Sequence, residues 1–405
     1  MIVGVVKETF PGERRVALVP GVLPYITKRG AEVIVEGGAG LEAGYTDAEF
    51  EEKGAKIVAD HAEIYAKADI VCTVRTYAAN LDKGAGDLDL YRKDQVIIGL
   101  SEPLTAQEPI DKITATGVKL FALELIPRTT RGQAMDVLSS QATVAGYYCV
   151  ALAQTTLPKM FPMMMTAAGT IKPAKVFVIG AGVAGLQCIA SAKKAGAVVY
   201  GFDVRPEVKE QIESLGAKFL EIEVADARGE GGYARELTDE EKARQRELMA
   251  DQIAESDVVI TTAAVPGKKA PMLIPADVAR RMHTGSVIVD MAAERGGNCE
   301  LTKAGETVVD SGVTILGPTN IPTNLPFHAS QMFAKNVQNL LDLLITNEGE
   351  LQIDMEDEII VGTLECEDGQ IIHKMAREIF GLQPLEEPKQ EQAPAAEAVA
   401  EGSNA

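Results

Sequence analysis

Three glycines in the second half of the chain have the spacing of a phosphate-binding turn. Gly180, Gly182 and Gly185 form the pattern GxGxxG, which follows the apolar run KVFVI and opens the helical run LQCIASAKKAG. The first glycine permits a tight turn, the second lets a pyrophosphate approach the backbone, and the third lets helix and strand pack closely. Free N–H groups at the start of the helix, at Val183, favour phosphate. The pattern predicts a dinucleotide site, the alternative being a glycine-rich turn without a ligand.

An acidic residue closes the strand that follows this helix. Asp203 lies 18 residues after Gly185 and can accept hydrogen bonds from both ribose hydroxyls of a dinucleotide. Val204 and Arg205 come next and belong to the same predicted cofactor-binding set. An arginine at such a position can serve NADP, but the 2′-phosphate would be forced against the Asp203 carboxylate. We therefore predict NAD as the cofactor.

A second group of polar residues lies in the segment PRTTRGQAMDVLSSQATVAGYY. Arg128, Gln133, Asp136 and Ser139 stand where one predicted domain is followed by the next. Polar residues at such a junction can face the interdomain cleft, which is where ligands usually bind. They can equally form a loop salt bridge that caps the connecting helix. Spacing alone leaves both interpretations open.

Two series of alternating strands and helices position these residues. In residues 1–125 the apolar runs MIVGVV, AEVIVEGG, ADIVCTVR, QVIIGL and KLFALELI indicate strands, and in residues 173–320 KVFVIG, AVVYGFDV, AKFLEI, DVVITTA, SVIVDMA and VTILG do the same. Such alternation predicts parallel sheets wrapped by helices. A helix is expected from about Ser139 to Leu157, and another after Pro326. The segment EIIVGTLECEDGQIIH is predicted to be a hairpin that turns at Asp368-Gly369 and packs on the first domain.

The predicted fold class is therefore α/β with two domains, each a mainly parallel sheet flanked by helices. Residues 1–138 and 327–383 are expected to form the first domain, and residues 139–326 a Rossmann dinucleotide-binding domain. Residues 384–405 lack aromatic side chains and apolar periodicity, which indicates a flexible acidic tail.

Composition argues against several classes of function. The 405 residues carry 39 basic and 59 acidic side chains, a formal charge of −20 that disfavours nucleic-acid binding. No apolar run approaches the roughly 18 residues of a membrane span, and the start MIVGVVKE has no signal-peptide pattern. The five cysteines and four histidines are scattered, so we expect no metal site and a reducing cytoplasm. Cys72 and Cys188 are expected in the core.

Longer stretches of the sequence resemble one family closely. PRTTRGQAMDVLSSQATVAGY, TAAGTIKPAKVFVIGAGVAGLQ, DVRPEVKEQIESLGAKF, GGYARE and DMAAERGGN look like the NAD(H)-binding component of proton-translocating transhydrogenases. The resemblance extends from the opening KETFPGERRVALVP to about Leu344.

The resemblance implies roles for particular residues. An Arg-Gln-Asp loop that holds the nicotinamide and its ribose matches Arg128, Gln133 and Asp136, with Ser139 beside them. A mobile loop that closes over the nucleotide matches EGGYARE, with Gly232 and Tyr233. Gln245 and Ala264 complete the expected cofactor contacts.

The resemblance also implies a reaction, hydride transfer from NADH to NADP⁺ on a separate beta subunit, coupled to proton movement through a membrane component. Because the nicotinamide carries the hydride, no acid, base or nucleophile is obligatory in the protein. We expect a homodimer without direct membrane insertion, held at the cytoplasmic side of the inner membrane by its NADP-binding and membrane partners.

The nearest alternative is an alanine dehydrogenase or a related amino-acid dehydrogenase, which shares the fold and the opening segment. Arg15 matches the arginine that grips the substrate carboxylate in those enzymes. Their proton chemistry needs a lysine and a histidine, but the matching segments VCTVRTYAAN and VIIGLSEPL contain neither. Arg75 is present, yet a guanidinium is a poor proton shuttle. We therefore expect Arg15 in a structural ion pair. A non-catalytic NAD-sensing module is a second alternative.

Overall fold

The structure is a computed structural model that describes residues 1–221, 239–264 and 269–385, with residues 239–246 described by their backbone alone. The strands of the described ranges are, in chain order, β1 (Ile2–Val5), β2 (Glu32–Glu36), β3 (Ala55–Val58), β4 (Ile70–Arg75), β5 (Val96–Leu100), β6 (Lys119–Ala122), β7 (Met164–Thr166), β8 (Gly169–Ile171), β9 (Lys175–Ile179), β10 (Val198–Phe202), β11 (Lys218–Phe219), β12 (Val258–Thr261), β13 (Val287–Asp290), β14 (Thr307–Asp310), β15 (Val313–Leu316), β16 (Leu364–Glu367) and β17 (Gln370–Ile371). The helices are α1 (Leu23–Thr27), α2 (Asp47–Glu52), α3 (His61–Lys67), α4 (Ala85–Leu88), α5 (Gln107–Ala115), α6 (Val137–Thr156), α7 (Val183–Lys194), α8 (Lys209–Ser214), α9 (Asp239–Ala254), α10 (Ala276–Ala279), α11 (Pro326–Leu344), α12 (Glu358–Thr363) and α13 (Lys374–Ile379).

The first sheet combines strands from both ends of the described chain. Its order is β17-β16-β6-β5-β4-β1-β2-β3, and the six strands from the N-terminal region run parallel. The strand β16 joins β6 in the antiparallel sense, and β17 pairs with β16. Buried apolar side chains form a core on each face of this sheet. We call this sheet with its helices the first unit.

The second sheet has the strand order of a doubly wound dinucleotide-binding fold. Its order is β11-β10-β9-β12-β13-β15-β14, and all of its strands are parallel except β14 at one edge. The order reverses between β9 and β12, and ligands of such folds bind at the carboxyl ends of the strands at this point. Apolar cores cover both faces. This sheet with its helices is the second unit, and the α/β fold class is confirmed.

The helix α6 leads from the first unit into the second. It packs against α7 of the second unit and also against α11, which returns to the first unit. Close packing is possible because Gly146 faces α7: a Cβ atom there would lie 2.4 Å from the carbonyl oxygen of Ala184. No helix within the described ranges is long and apolar enough to cross a bilayer.

One local prediction is wrong. The sequence predicts that the residues EIIVGT at 358–363 form the first strand of a hairpin, but they form α12. The preceding Asp357 caps the helix by accepting a hydrogen bond from the N–H of Ile359 at 2.8 Å. This cap outweighs the strand preference of the β-branched residues. The hairpin itself is shorter, β16–β17, and turns at Asp368-Gly369, where both φ angles are positive (49° and 74°).

Candidate dinucleotide site

The three glycines of the turn after β9 have distinct steric surroundings. Gly180 has a φ of 95°, which an L side chain rarely adopts. A Cβ atom on Gly185 would lie 1.9 Å from the carbonyl oxygen of Gly180, so only glycine permits this approach of helix and strand. No atom lies within 4 Å of the Cβ position of Gly182, so the space above its backbone is open among the described residues. The turn can therefore receive a pyrophosphate at Gly182 and at the N-terminus of α7, where Val183 is exposed.

The loop after β12 forms the opposite wall of this turn. The Thr262 hydroxyl donates a hydrogen bond to the carbonyl oxygen of Gly180 at 3.0 Å. The side chain of Asn298 donates to the carbonyl oxygen of Ala263 at 2.8 Å and accepts from its N–H at 3.2 Å. The predicted contact residue Ala264 follows and is exposed. Asn298 thus holds the loop that brings Ala264 to the carboxyl edge of the sheet.

A buried carboxylate at the end of β13 organises the segment that contains Asn298. Asp290 is fully buried and accepts hydrogen bonds from the N–H groups of Ala292, Asn298 and Cys299 and from two threonine hydroxyls, those of Thr261 and Thr302. Sequence reasoning missed both Asp290 and Asn298. The available signal was an acidic residue at the carboxyl end of an apolar strand, followed by a Gly-Gly-Asn turn.

Asp203 lies at the carboxyl end of β10 and faces the glycine turn. One carboxylate oxygen accepts the N–H of Ala181 at 2.7 Å, and Arg205 contributes its backbone N–H and two guanidinium nitrogens at 2.9–3.1 Å. Burial alone would raise the pKa of Asp203, but the hydrogen bonds from Arg205 and Ala181 and the charge of Arg205 lower it below its ordinary value. The carboxylate is therefore ionised, and it lies beside the glycine turn. Val204 projects outward and is mostly exposed.

The four residues predicted at the domain junction fall into two pairs. Asp136 caps α6: it accepts the N–H of Ser139 at 2.9 Å and the Ser139 hydroxyl at 2.6 Å. Arg128 and Gln133 are exposed, and within the described ranges no carboxylate lies within 4 Å of the Arg128 guanidinium. The salt bridge of this loop is made by Arg131 with Asp357 instead. The helix-capping interpretation therefore applies to Asp136 and Ser139, while Arg128 and Gln133 are open to a ligand.

The connecting helix links this junction to the glycine turn. Ser139 lies seven residues before Gly146, which is about 10 Å along the axis of α6. Gly146 in turn packs on Ala184 at the start of α7. The end of α6 that carries Asp136 and Ser139 is thus within reach of a dinucleotide whose phosphates lie at α7.

A cleft between the two units contains two arginines. Its cavity of about 220 Å³ is lined by residues that include Arg15, Arg75, Gln141, Met291, Glu294 and Asn320, and neither lysine nor histidine is among its described lining residues. Arg15 is buried and paired with Glu13 at 2.6 Å, so the predicted structural ion pair is confirmed. Burial alone would raise the pKa of Glu13, but Arg15 and Arg75 lower it to about 2.

The guanidinium of Arg15 has few remaining donors. Besides its two bonds to Glu13, it donates to the side chains of Gln141 and Asn320 at 2.9 and 3.2 Å. Arg75 donates to Asn320 at 3.0 Å and stacks over the ring of Phe10 at 4.3 Å. These contacts hold the two arginines as elements of the cleft wall.

Some predicted residues lie outside the ranges that the structure describes. Gly232 and Tyr233 fall in the undescribed range 222–238, residues 386–405 of the predicted tail are also outside, and Gln245 belongs to α9 but its side chain is not described. Cys72 and Cys188 are buried, as expected, and all five cysteines are buried free thiols. Across the described ranges, no group of three or more His, Cys, Asp or Glu side chains could hold a metal ion.

Comparison with known proteins identifies the family. The family described as "Alanine dehydrogenase/PNT, N-terminal domain" matches residues 4–145, and "Alanine dehydrogenase/PNT, C-terminal domain" matches residues 149–374. The chain belongs to the alanine dehydrogenase/PNT family. These two matches together cover most of the chain, including the glycine turn and the junction residues.

Individual relatives separate the two branches named in that description. A chain of the NAD(P) transhydrogenase alpha subunit of Rhodospirillum rubrum is 42% identical over 377 residues, which cover 92% of this chain and 98% of the relative. The alanine dehydrogenase of Bacillus subtilis is 26% identical over 406 residues, covering 97% of this chain and 98% of the relative. A solved transhydrogenase from Sinorhizobium meliloti superposes with a TM-score of 0.80 at 38% identity, covering 92% of this chain and 99% of that one. Of these relatives, the transhydrogenases are the more similar.

Proposed function

We propose that this chain is the NAD(H)-binding subunit of a proton-translocating transhydrogenase, an oxidoreductase that passes hydride from NADH to NADP⁺ held on a partner subunit. The observation that carries the proposal is the glycine turn of the second unit with the ionised Asp203 at its side. The 42% identity to a transhydrogenase subunit supports the same reaction.

The described residues fit NAD at this site. Gly182 and the start of α7 would receive the pyrophosphate, and Asp203 would accept the adenosine ribose hydroxyls. Arg128 and Gln133, with Asp136 and Ser139 at the helix start, would orient the nicotinamide. When bound, NADH supplies the hydride, and the protein has to hold the ring in position and keep water away.

The cleft supports transhydrogenation over amino-acid oxidation. An alanine dehydrogenase needs a group that moves protons to and from substrate. The lining of the cleft contributes two arginines in its place, and the Arg15 guanidinium is buried and bonded to Glu13, Gln141 and Asn320. A hydride acceptor that is itself a nucleotide requires no such proton shuttle.

The proposed assembly is a homodimer that joins the NADP-binding beta subunit and membrane subunits on the cytoplasmic side of the inner membrane. The hairpin β7–β8 supports the homodimer, because all six of its strand residues are exposed and Met165 is 80% exposed. An isolated two-stranded hairpin is marginally stable in water, so packing against a second copy would stabilise it. Replacing Met163 and Met165 by serine should shift the molar mass measured by light scattering from dimer towards monomer.

The decisive experiment tests the same purified chain with different hydride donors and acceptors. With NADH and the NADP-binding partner, we expect reduction of NADP⁺, whereas the chain alone should neither oxidise alanine with NAD⁺ nor reduce pyruvate in the presence of ammonia. A chain that binds NADH but stays inactive with the partner would favour the sensing module. Alanine oxidation by the chain alone would contradict the proposal and would assign a role in proton chemistry to Arg75.

A further inference from the structure

We infer that the guanidinium of Arg205 competes with the adenosine ribose for the carboxylate of Asp203, and that binding of a nucleotide displaces it. This inference rests on the proposed function, in which Asp203 accepts the ribose hydroxyls. Arg205 is then a residue that opposes cofactor binding and contributes to the choice between NAD and NADP.

The hydrogen bonds of Asp203 carry the argument. A carboxylate has about four lone-pair positions, and four donors occupy those of Asp203. The N–H groups of Ala181 and Arg205 are fixed by the backbone, at 2.7 and 2.9 Å. The other two donors are Nε and Nη2 of Arg205, at 3.0 and 3.1 Å, one on each oxygen. A ribose diol needs two acceptor positions, and only those held by the guanidinium can be vacated without moving the backbone.

The exposure of the two side chains shows which one can move. The Asp203 side chain is 7% exposed, whereas the Arg205 side chain above it is 53% exposed. A guanidinium that is half exposed can leave its partner because water replaces the hydrogen bonds it loses, while the ribose hydroxyls replace them on the buried carboxylate. The arginine therefore covers the carboxylate reversibly. Breaking this ion pair costs free energy, and that cost lowers the affinity of Asp203 for any adenosine ribose.

The displaced arginine also affects selectivity. While Asp203 is present, a 2′-phosphate would meet a carboxylate and an arginine already attracted to it. Without Asp203, the guanidinium has no partner at this position and can form charge-assisted bonds to a 2′-phosphate. Arg205 thus opposes ribose binding in the natural chain and would favour NADPH in a chain that lacks Asp203.

The test uses adenosine as the probe, because an uncharged ligand removes long-range attraction between Arg205 and the nucleotide phosphates. By calorimetric titration of the full chain, Arg205→Ala should bind adenosine about two- to fivefold more tightly than the natural chain. The matched control is Lys209→Ala, which removes the same charge four residues later from a side chain that pairs with Glu221. We expect no change for this control. Weaker or equal binding by Arg205→Ala would overturn the inference.

A second pair of variants separates this inference from the proposed function. Asp203→Ala should weaken adenosine binding about tenfold, because buried hydrogen bonds to the ribose are lost. It should also strengthen NADPH binding, and Asp203→Ala/Arg205→Ala should lose that gain. Unchanged adenosine binding by Asp203→Ala would contradict the ribose site itself. If Asp203→Ala weakens adenosine binding but the double variant keeps the full NADPH gain, the site stands and the role of Arg205 is refuted.

Discussion

Two polar side chains at the junction, those of Arg128 and Gln133, have no hydrogen-bond or ion-pair partner among the described residues, and neither is among the lining residues of the cleft. Arg15 and Asp290 are buried and surrounded by partners, which is what a structural role requires. Arg128 and Gln133 are exposed beside a capped helix start. Ordering a long polar side chain costs conformational entropy. We therefore expect Arg128 and Gln133 to become ordered only when a ligand contacts them.

We predict that Arg128→Ala and Gln133→Ala each reduce hydride transfer about tenfold or more while NADH affinity changes less. Most of the affinity comes from the adenosine and pyrophosphate contacts, whereas a shift of the reacting atoms by about 1 Å can cost on the order of 100-fold in rate. The rate is measured with the partner subunit, and the affinity by titration of nucleotide fluorescence.

The control for this prediction lies in the same loop. Arg131→Ala removes a charge that is paired with Asp357 and should leave the rate nearly unchanged. Equal losses of rate and affinity in Arg128→Ala would show that Arg128 has a general binding or folding role.

At the scale of elements, the glycine turn offers two substitutions with opposite steric consequences. Gly185→Ala places a Cβ atom 1.9 Å from a backbone oxygen, so α7 must move away from β9, and we expect destabilisation of about 1–3 kcal/mol. Gly182→Ala meets no described atom within 4 Å and should fold normally, but its methyl group fills the space that a pyrophosphate would use. Thermal unfolding should therefore detect Gly185→Ala, and NADH titration should detect both. Normal stability of Gly185→Ala would contradict the described turn.

A histidine joins three elements of the first unit. His61 at the start of α3 bonds Glu36 at the end of β2 at 2.7 Å and Asp87 in α4 at 2.9 Å. Burial alone would lower the pKa of His61, but hydrogen bonds and charges of the two carboxylates raise it to about 10. Because the folded pKa lies above the unfolded value, the stabilisation is full below about pH 6.5 and is lost as pH rises through about 10.

The matching experiment compares the natural chain with His61→Gln by denaturant unfolding between pH 6 and pH 10. The natural chain should be the more stable at pH 6, and its advantage should shrink as pH rises, since protonated His61 is the form that pairs with both carboxylates. An advantage that grows with pH would contradict the pairing.

Strands that are buried on both faces could be predicted from the sequence, whereas several partly exposed strands could not. The central strands of both sheets are buried on both faces, so they appear in the sequence as continuous apolar runs. The edge strands β3 and β14 are partly exposed and were not predicted, and neither was the hairpin β7–β8. The glycine turn was predicted because its steric needs are local. The pair Asp203–Arg205 and the bonds of Asn298 could not be, because they depend on which side chains the fold brings together.

For the whole molecule, the cleft is bordered by contacts between the two units. Arg295 of the second unit pairs with Glu102 of the first at 2.5 Å. The backbone N–H groups of Ser101 and Glu102 donate to the carboxylate of Glu124, at 2.8 and 2.9 Å. Burial raises the pKa of Glu124 to about 7. A buried acid of the first unit, Glu124, thus holds the segment whose Glu102 contacts the second unit.

A second buried acid lies on β16, where the C-terminal region of the chain joins the first sheet. Glu365 is fully buried, and neither of its carboxylate oxygens has a hydrogen-bond partner among the described residues. Burial, reinforced by the charge of Glu124, raises its pKa to about 8. The folded chain therefore holds the proton more tightly than the unfolded chain, and ionisation destabilises the fold as pH rises from about 4.5 through 8.

We predict that Glu365→Gln is more stable than the natural chain at pH 8.5, with a difference that decreases towards pH 5. The amide has a similar size but cannot ionise, so it removes the pH-dependent cost and leaves packing nearly unchanged. Free energies of unfolding from denaturant titrations at several pH values would measure the difference. A difference independent of pH would indicate that Glu365 is already neutral or already solvated throughout this range.

The return of β16 to β6 has a consequence for how the chain is made. During synthesis the six parallel strands of the first sheet leave the ribosome early, but α11 and β16, which complete its apolar cores, follow only after the whole second unit. At about 5–20 residues per second, that interval lasts on the order of ten to fifty seconds. Throughout it the nascent first unit exposes apolar surface, and the second unit can close before the first is complete. Chaperones that hold nascent chains would therefore act on the N-terminal region of this protein, although it is the region translated first.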